Sequence, residues 1–452
     1  MTSKPNVTSF FKILEVPHGK RQTLSVLKNP DLEPILKGNQ TWGFWSNVAY
    51  WSVCAFSIGT WMGASAANTI GLTYGETVAA FCLGNFVAFL FTIANSYQGL
   101  NWKVGYTLSQ RFVFGIYGSG FGILIRILMS IVNYGANAWL GGLCVNLILD
   151  SWSHHYLHLE NTLPDNIAMT SKQVIGFMIF HVICALTYFM KPYKMNYLLI
   201  WSSFFSCFSM LGMVIYLAHK SGGVGHGFTV KENTVKGSDY NWNWVYMISY
   251  WFGSISSSAT NQADFSRFAN SKLTLWTGTF LGLMIPGTIV PLFGIVGLIS
   301  TQKLYNEALW IPTDICEKWL FLDYNAKSRA AVFFCGISFT SALVGFTSSS
   351  CGFSGGMDLS GILPKYVNIF RGALITAAIS FACQPWNFYN SSSIFLTVMS
   401  SFGIIMTPII SVMICDNFLI RKQQYSVSQA FIVKGEYYYT KGVNWKIGRA
   451  HV

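Results

Sequence analysis

Long apolar segments alternate with short polar ones along nearly the whole chain. A helix needs about 20 residues to cross roughly 30 Å of hydrocarbon, and each apolar segment is close to that length. The segments lie at 43–69, 77–97, 117–148, 174–190, 196–218, 242–262, 275–300, 330–354, 372–388 and 393–415. The pattern predicts an all-α polytopic membrane protein with ten spans. The predicted divisions are a tail at 1–42, a transmembrane domain at 43–415, a polar segment at 416–446 and a terminal hexapeptide at 447–452.

Two spans carry small and polar residues where a lipid-facing helix would be apolar. Span one contains Gly59 within "AFSIGTWMGASAAN", and in span six Gly253 is followed by "SISSSAT". Irregular backbone survives in a bilayer only where it lines a protein cavity, and transporters place such breaks in corresponding helices of two repeats. Because the two spans are five apart, we predict a five-plus-five inverted repeat with broken helices in spans one and six. Close helix packing, which also selects small residues, remains an alternative.

The distribution of charged residues predicts how the chain is oriented in the membrane. Only 10% of the 452 residues are charged, against about 25% in soluble domains. Of the 29 Lys and Arg, 20 fall on the side of the N-terminal tail and 8 on the other side. This excess predicts a cytoplasmic N-terminus and makes the net charge of +12 a topology signal, so no nucleic-acid partner is expected. The sequence has no metal-ligand spacing and no nucleophile–base pair, so we expect no metal, no cofactor and no enzymatic activity.

Four motifs then carry a family resemblance. They are "NPDLEPILKGNQTWGFWSNVAYW" at 29–51, "QRFVFGIYGS" at 110–119, "NQADFSRFA" at 261–269 and "GGMDLSGILPKYVNIFRG" at 355–372. Together they resemble the fungal nucleobase-cation symporters, the first of two families of that name, and most closely the branch that carries thiamine and nicotinamide riboside. The resemblance implies a LeuT-like fold with twelve spans and proton-driven uptake at the plasma membrane.

The chain ends on "IGRAHV", which is what a common sequencing adaptor gives when translated. We therefore expect that residues 447–452 derive from adaptor and that the natural chain continues. On this interpretation ten of twelve spans are present, and 416–446 leads into the other two.

The resemblance also places a substrate site and shows where this chain departs from it. Nucleobase carriers of the family clamp a flat ring between two tryptophans, and those positions are Asn133 and Ile255 here. The glutamine that follows the first is Asn137, the polar contact of span one is Ser57, and the asparagine of span eight falls near Cys351.

Two hydroxyl ligands of the family's sodium site fall at Gly345 and Phe346, counting back from Gly355 without gaps. Neither residue has a side-chain oxygen, and hard cations need a shell of oxygen ligands. A sodium site of that type is therefore not expected.

Several residues have more than one interpretation. Asp264 and Arg267 are three apart at the end of span six, which predicts a structural anchor. Arg126 lies inside span three, either as a functional charge or as a side chain that snorkels or binds carbonyls. Trp61 and Trp251 adjoin the predicted breaks, where their faces could hold a cation at about 0.5–2 kcal/mol each.

The predicted substrate-binding residues are Ser57, Thr60, Trp61, Asn133, Asn137, Trp251, Ser254, Ile255 and Cys351. The predicted structural or gating residues are Gly59, Gly253, Asn261, Asp264, Arg267 and Arg126. We expect a proton symporter for a small aromatic cationic vitamin, thiamine first, whose partners are substrate, proton and lipid bilayer. Nicotinamide riboside or a neutral nucleobase or nucleoside is the alternative substrate. A non-transporting membrane receptor or scaffold is the alternative class.

Overall fold

The computed structural model describes residues 15–16, 27–66, 70–164, 167–225 and 235–446. Most of the tail at 1–42 and the hexapeptide at 447–452 lie outside these ranges. The described chain is helical, and the helices are α1 (Phe44–Ala55), α2 (Ile58–Ala66), α3 (Tyr74–Trp102), α4 (Tyr106–Phe114), α5 (Ser119–Trp152), α6 (His154–Leu157), α7 (Ser171–Thr187), α8 (Asn196–Lys220), α9 (Ser238–Ser266), α10 (Lys272–Tyr305), α11 (Pro312–Leu322), α12 (Ala326–Phe346), α13 (Ser354–Ile362), α14 (Ile369–Ile379) and α15 (Ser392–Cys415). A π-helical segment, Thr347–Phe353, joins α12 to α13 without a turn.

All ten predicted apolar segments contain helix. Within the described residues, six helical stretches are long and apolar enough to cross a membrane: Tyr74–Trp102, Ser119–Trp152, Pro192–Lys220, Lys272–Tyr305, Ala326–Ile362 and Ser392–Ile420. The first predicted span is divided between α1 and α2, and α7 and α14 are shorter apolar helices. The sixth predicted span lies in α9, which is long enough to cross a membrane but is rich in polar residues. The chain is therefore a multi-pass membrane protein.

Local capping explains where several helices begin. The Thr73 hydroxyl accepts from the Glu76 backbone N–H, and the Glu76 carboxylate accepts from the Thr73 N–H, which closes a capping box at the start of α3. Thr170 and Gln173 form the same motif before α7. These reciprocal bonds satisfy backbone donors that the first helical turn leaves without intrahelical partners.

The first span is broken, as predicted, but two residues before Gly59. α1 ends at Ala55, Phe56 leaves helical geometry with φ −77° and ψ 47°, and α2 begins at Ile58. Ser57 stabilises the new helix start, because its hydroxyl accepts from the Thr60 backbone N–H at 3.3 Å. Gly59 lies in the first turn of α2 rather than at the break.

The predicted break at Gly253 was wrong, because α9 is a continuous helix. Its hydroxyls bond to the helix's own carbonyls: Ser256 donates to Gly253 and Thr260 to Ser256. Gly253 instead allows close packing on α15, since a Cβ built on Gly403 would lie 2.7 Å from the Gly253 Cα. The small residues of this span therefore serve packing, the alternative left open by the sequence.

Span eight has an irregularity that the sequence did not predict. Its polar run "TSSSCGF" forms the π segment, and the Asn261 amide of α9 donates to the Ser350 carbonyl at 2.6 Å. A π segment rotates the following helix relative to an α-helix of equal length. Residues on either side of this segment therefore face differently than they would in a continuous α-helix.

Residues 416–446 pack onto the body of the protein. Tyr425, Phe431 and Tyr437 are buried against Phe112 of α4. Whether this segment leads to further spans stays a prediction.

Candidate functional site: a central aromatic cavity

A cavity of about 730 Å³ lies where α1, α2, α5 and α9 meet. The residues that line it are Trp51, Cys54, Ala55, Ser57, Gly59, Thr60, Asn85, Asn133, Ala136, Asn137, Leu140, Tyr250, Trp251, Ser254, Ile255, Ser258, Leu283, Gly287, Phe346, Tyr389, Phe395 and Met399. The lining is mostly apolar with a few placed polar groups, which is typical of small-molecule sites.

The helix break contributes backbone and hydroxyl groups to this cavity. The Ser57 and Thr60 hydroxyls lie 3.2 Å apart, and the Thr60 hydroxyl also donates to the Cys54 carbonyl at 3.4 Å. Breaking the helix frees backbone groups near Phe56, and this is the arrangement by which transporters expose polar backbone to a ligand.

Two asparagines on α5 face the same cavity one turn apart. The Asn137 amide donates to the backbone and side-chain oxygens of Asn133, both at 2.8 Å, and the Asn133 amide donates to Ser257 of α9 at 3.2 Å. These bonds hold the asparagine side chains in fixed positions between two helices.

α9 adds an aromatic wall. Trp251, Ser254 and Ile255 line the cavity, and the Trp251 indole N–H donates to the Asn85 side-chain oxygen at 2.8 Å. The Asn85 amide nitrogen is fully buried and has no hydrogen-bond partner among the described residues. A buried donor without a partner is costly, so Asn85 is suited to donate to a bound molecule.

Sequence reasoning missed Asn85 and three aromatic residues of the lining: Phe346, Tyr389 and Phe395. They come from helices distant in sequence from the predicted breaks, and a single sequence gives no register for such contacts. Within the described structure, no Asp or Glu lines the cavity. A positive ligand would therefore meet ring faces, amides and hydroxyls.

Two predicted substrate-binding residues lie elsewhere. The Trp61 ring is fully buried against Gly297 of α10, so it packs α2 onto that helix. Cys351 is buried within the π segment, and Phe346 lines the cavity from this span instead. The physical reason is the changed rotation across the π segment.

Gly345 and Phe346, where the resemblance places the family's sodium ligands, lie at the end of α12. A Cβ on Gly345 would meet Ser202 and Leu199 of α8, so Gly345 allows close packing there. The nearby hydroxyls of Ser202 and Ser349 donate to carbonyls of their own helices. Within the described residues, no group of three or more His, Cys, Asp or Glu side chains could hold a metal ion.

A buried ion cluster, which we name the Arg126 cluster, joins α5, α9 and α13. It consists of Arg126, Asp264 and Asp358, all at most 1% exposed. The Arg126 guanidinium donates to the two Asp358 carboxylate oxygens at 2.6 Å each, and its Nη1 lies 2.7 Å from Asp264 Oδ2. Arg126 thus neither snorkels nor binds carbonyls.

Neighbouring groups fix this cluster. The Tyr106 backbone N–H donates to Asp264, the Tyr106 ring lies 3.7 Å from the Arg126 guanidinium carbon, and the Thr107 hydroxyl donates to Asp358.

The predicted Asp264–Arg267 side-chain anchor needs correction. Arg267 donates to the Asp264 backbone carbonyl at 3.0 Å, whereas the Asp264 carboxylate pairs with Arg126.

A multi-pass bundle with a broken first helix around a small-molecule cavity defines a membrane transporter of the inverted-repeat class. In fold the chain is similar to Mhp1, a nucleobase-cation-symport-1 family transporter solved in a closed conformation with bromovinylhydantoin bound. The TM-score is 0.74 at 20% identity, over 93% of this chain and 87% of that one. A structure of a Na+-coupled sialic acid symporter matches with a TM-score of 0.57 at 13% identity, over 85% and 80%. These matches show the LeuT-like fold.

Sequence comparisons give the family. The model for permeases for cytosine/purines, uracil, thiamine and allantoin matches residues 34–451. Nicotinamide riboside transporter 1 of Saccharomyces cerevisiae is 62% identical over 440 residues, 97% of this chain and 74% of the relative. A thiamine transporter of the same yeast is 61% identical over 446 residues, 99% and 75%. The chain belongs to this permease family and is a transporter, not an enzyme.

Proposed function

We propose that this protein imports a small aromatic cation, thiamine first and nicotinamide riboside second, by proton symport across the plasma membrane. The observation that carries the proposal is the lining of the central cavity, which combines aromatic faces with amides and hydroxyls and has no carboxylate in the described part. Such a lining suits a delocalised ring cation, because each ring face contributes about 0.5–2 kcal/mol.

The relatives support this substrate class. The two yeast proteins at 62% and 61% identity are named for nicotinamide riboside and for thiamine, and the difference between these values does not rank the two substrates. Replacement of the family's clamping tryptophans by Asn133 and Ile255 supports a ligand bulkier than a single flat nucleobase, because the smaller side chains leave room.

Substrate choice is tested by uptake of radiolabelled thiamine into cells that lack thiamine uptake of their own and express the complete gene. Unlabelled thiamine and nicotinamide riboside should both compete, whereas uracil and uridine should compete weakly. Saturable uptake of uridine that thiamine does not inhibit would instead identify the protein as a neutral nucleoside permease.

The Arg126 cluster supports proton coupling. One guanidinium faces two carboxylates in the cluster, and a second buried cation, Arg267, lies beside Asp264, so Asp358 is the carboxylate that has Arg126 alone as its cation. Burial disfavours the charged form of a carboxyl group, and Asp358 shares its one cation with Asp264, so Asp358 is the group of this cluster suited to take up a proton. The cluster joins three helices and so could couple a proton to their movement.

The choice between proton and sodium is tested by ion replacement. At fixed acidic pH, replacing external sodium with choline should leave the initial rate of thiamine uptake unchanged, because Gly345 and Phe346 supply no side-chain oxygen. A protonophore should abolish accumulation. Loss of uptake in choline with little effect of the protonophore would refute proton coupling.

A further inference from the structure

A second cavity of about 1110 Å³ lies at the end of the molecule predicted to face outside. It is lined by the end of α5, by the 3-10 segment Pro385–Tyr389, which lies between α14 and α15, and by the segments around α7 and α11. Tyr389 lines both this outer cavity and the central one. The Tyr389 hydroxyl donates to the Ala136 carbonyl at 2.9 Å, and its ring packs on Phe395. Tyr389 therefore lies between the two cavities.

The outer cavity is negatively charged. Asp150, Asp314 and Glu317 line it together with a single cation, Lys172. Lys172 bridges Asp150 at 2.9 Å and Glu317 at 2.6 Å. Three carboxylates and one ammonium give a net charge of −2 when all are ionised, which favours entry of a cation.

One carboxylate oxygen has no hydrogen-bond partner. The Asp150 side chain is only 1% exposed, yet its Oδ1 has no hydrogen-bond partner in the described structure, because Lys172 contacts Oδ2. A buried anionic oxygen without a partner is costly and is suited to meet a donor or cation in the cavity.

An aromatic wall lies beside these carboxylates. Trp139 and Trp386 both line the outer cavity, with ring centroids 6.1 Å apart, and Tyr389 continues the wall toward the central cavity. Ring faces beside carboxylates form a setting that holds an aromatic cation rather than a metal ion, since the rings contribute attraction to delocalised charge but no ligand atoms.

We propose that the outer cavity is a binding subsite for a small aromatic organic cation, which it holds before the cation passes Tyr389 into the central cavity. The proposal rests on the proposed function, because it takes the same class of substrate. Lys172 occupies the subsite when it is empty, and the incoming cation competes with Lys172 for Asp150 and Glu317.

The test uses protein from the complete gene, with thiamine as the probe in both uptake and equilibrium binding. Above about pH 7, where Asp314 is ionised, Asp314→Asn removes a charge that no cation pairs, and the contacts of Lys172 with Asp150 and Glu317 stay in place. It should raise the half-saturating thiamine concentration about three- to tenfold, with little change in maximal rate. Lys172→Gln removes the competing cation and should lower that concentration. The matched control is Glu307→Gln, an exposed carboxylate paired with Lys318 outside the cavity.

We expect Asp314→Asn to raise the half-saturating thiamine concentration and Lys172→Gln to lower it. A purely structural role would instead impair both variants. Unchanged affinity in both, with normal uptake by the unmodified protein, would overturn the outer subsite and leave the proposed function intact. Absence of thiamine and nicotinamide riboside uptake by the unmodified protein would overturn both. If Lys172→Gln folds poorly, unchanged affinity in Asp314→Asn alone refutes the subsite.

Discussion

At the scale of single residues, Asn133 and Ile255 determine how much room the central cavity offers. They face it from α5 and α9, and the family resemblance places the tryptophans of nucleobase carriers at these two positions. Asn133 is also held by Ser257, so its side chain is a fixed part of the wall rather than an adaptable one.

We predict that Asn133→Trp and Ile255→Trp each reduce thiamine uptake relative to uptake of a single-ring nucleobase. An added indole would overfill a cavity shaped for a longer ligand. The measurement is the ratio of labelled thiamine to labelled uracil uptake at equal surface expression. Leu128→Trp is the control, because Leu128 lies on α5 but is 55% exposed on its outer surface. An unchanged ratio in both cavity variants would show that these positions do not contact substrate.

Sequence reasoning predicted individual residues well where a motif fixed them and poorly where folding brings distant helices together. Ser57 and Asn137, which the family resemblance placed, and Trp251, which precedes Gly253 in span six, line the cavity, and their contact with substrate stays a prediction. Asn85 lies within an ordinary apolar span, so its contact with Trp251 depends on the packing of α3 on α9. Asp358 lies in "GGMDLSG", which reads as a loop but continues span eight through the π segment.

At the scale of helices, the Arg126 cluster connects α5, α9 and α13. Its three side chains come from different helices, and none of them lines the central cavity. Changing a carboxylate here should therefore affect the coupling of transport to the proton more than substrate binding.

We predict that Asp358→Asn abolishes accumulation of thiamine driven by a pH gradient but retains exchange of external for internal thiamine. The substitution removes the carboxylate that shares Arg126 with Asp264, so the cluster loses the group that we expect to take up the proton. Uptake and exchange are compared in the same vesicles, with Glu307→Gln as control. Gradient-driven accumulation at the unmodified level would contradict this role.

The contact of α9 with α15 gives a second helix-scale prediction. Gly403→Leu should lower the melting temperature of the purified protein, because overpacking against the Gly253 backbone costs about 1–3 kcal/mol. Gly212→Leu is the matched control: Gly212 lies in the interior of α8, and a Cβ there meets no atom within 4 Å. Equal melting temperatures for the two variants would show that the Gly253–Gly403 contact is loose.

This contact also shows why the sequence could not separate a hinge from a packing site. Glycine and serine are selected by both, and the deciding fact is whether the Ser256 and Thr260 hydroxyls bond to their own helix. In span one the hydroxyl of Ser57 instead accepts from the Thr60 backbone N–H and caps a new helix start, so the helix is interrupted there.

At the scale of the whole molecule, the charged groups of the outer cavity affect stability as well as the proposed binding. Burial, and then the charge of Glu317, raise the pKa of Asp314 from 3.8 to about 7. Asp150 and Lys172 face the same cavity. Because the folded pKa of this acid is above the unfolded one, Asp314 favours the folded state while protonated. That contribution is lost as pH rises from about 4 to about 7.

We predict that Asp314→Asn becomes increasingly stabilising, relative to the unmodified protein, as pH rises through this window, and levels off above it. The measurement is the difference between the two melting temperatures at a series of pH values in the absence of ligand. A difference that stays constant with pH would mean that Asp314 is ionised with an ordinary pKa.

The central claim is that an aromatic cation binds in the cavity beside the helix break of α1 and α2. It is tested most directly by an experimental structure of the protein from the complete gene at saturating thiamine. We predict ligand density in the central cavity, with a thiamine ring against Trp51 or Trp251 and a polar group within hydrogen-bond distance of Asn85 or Asn137. A saturated complex in which that cavity holds no thiamine would contradict the account.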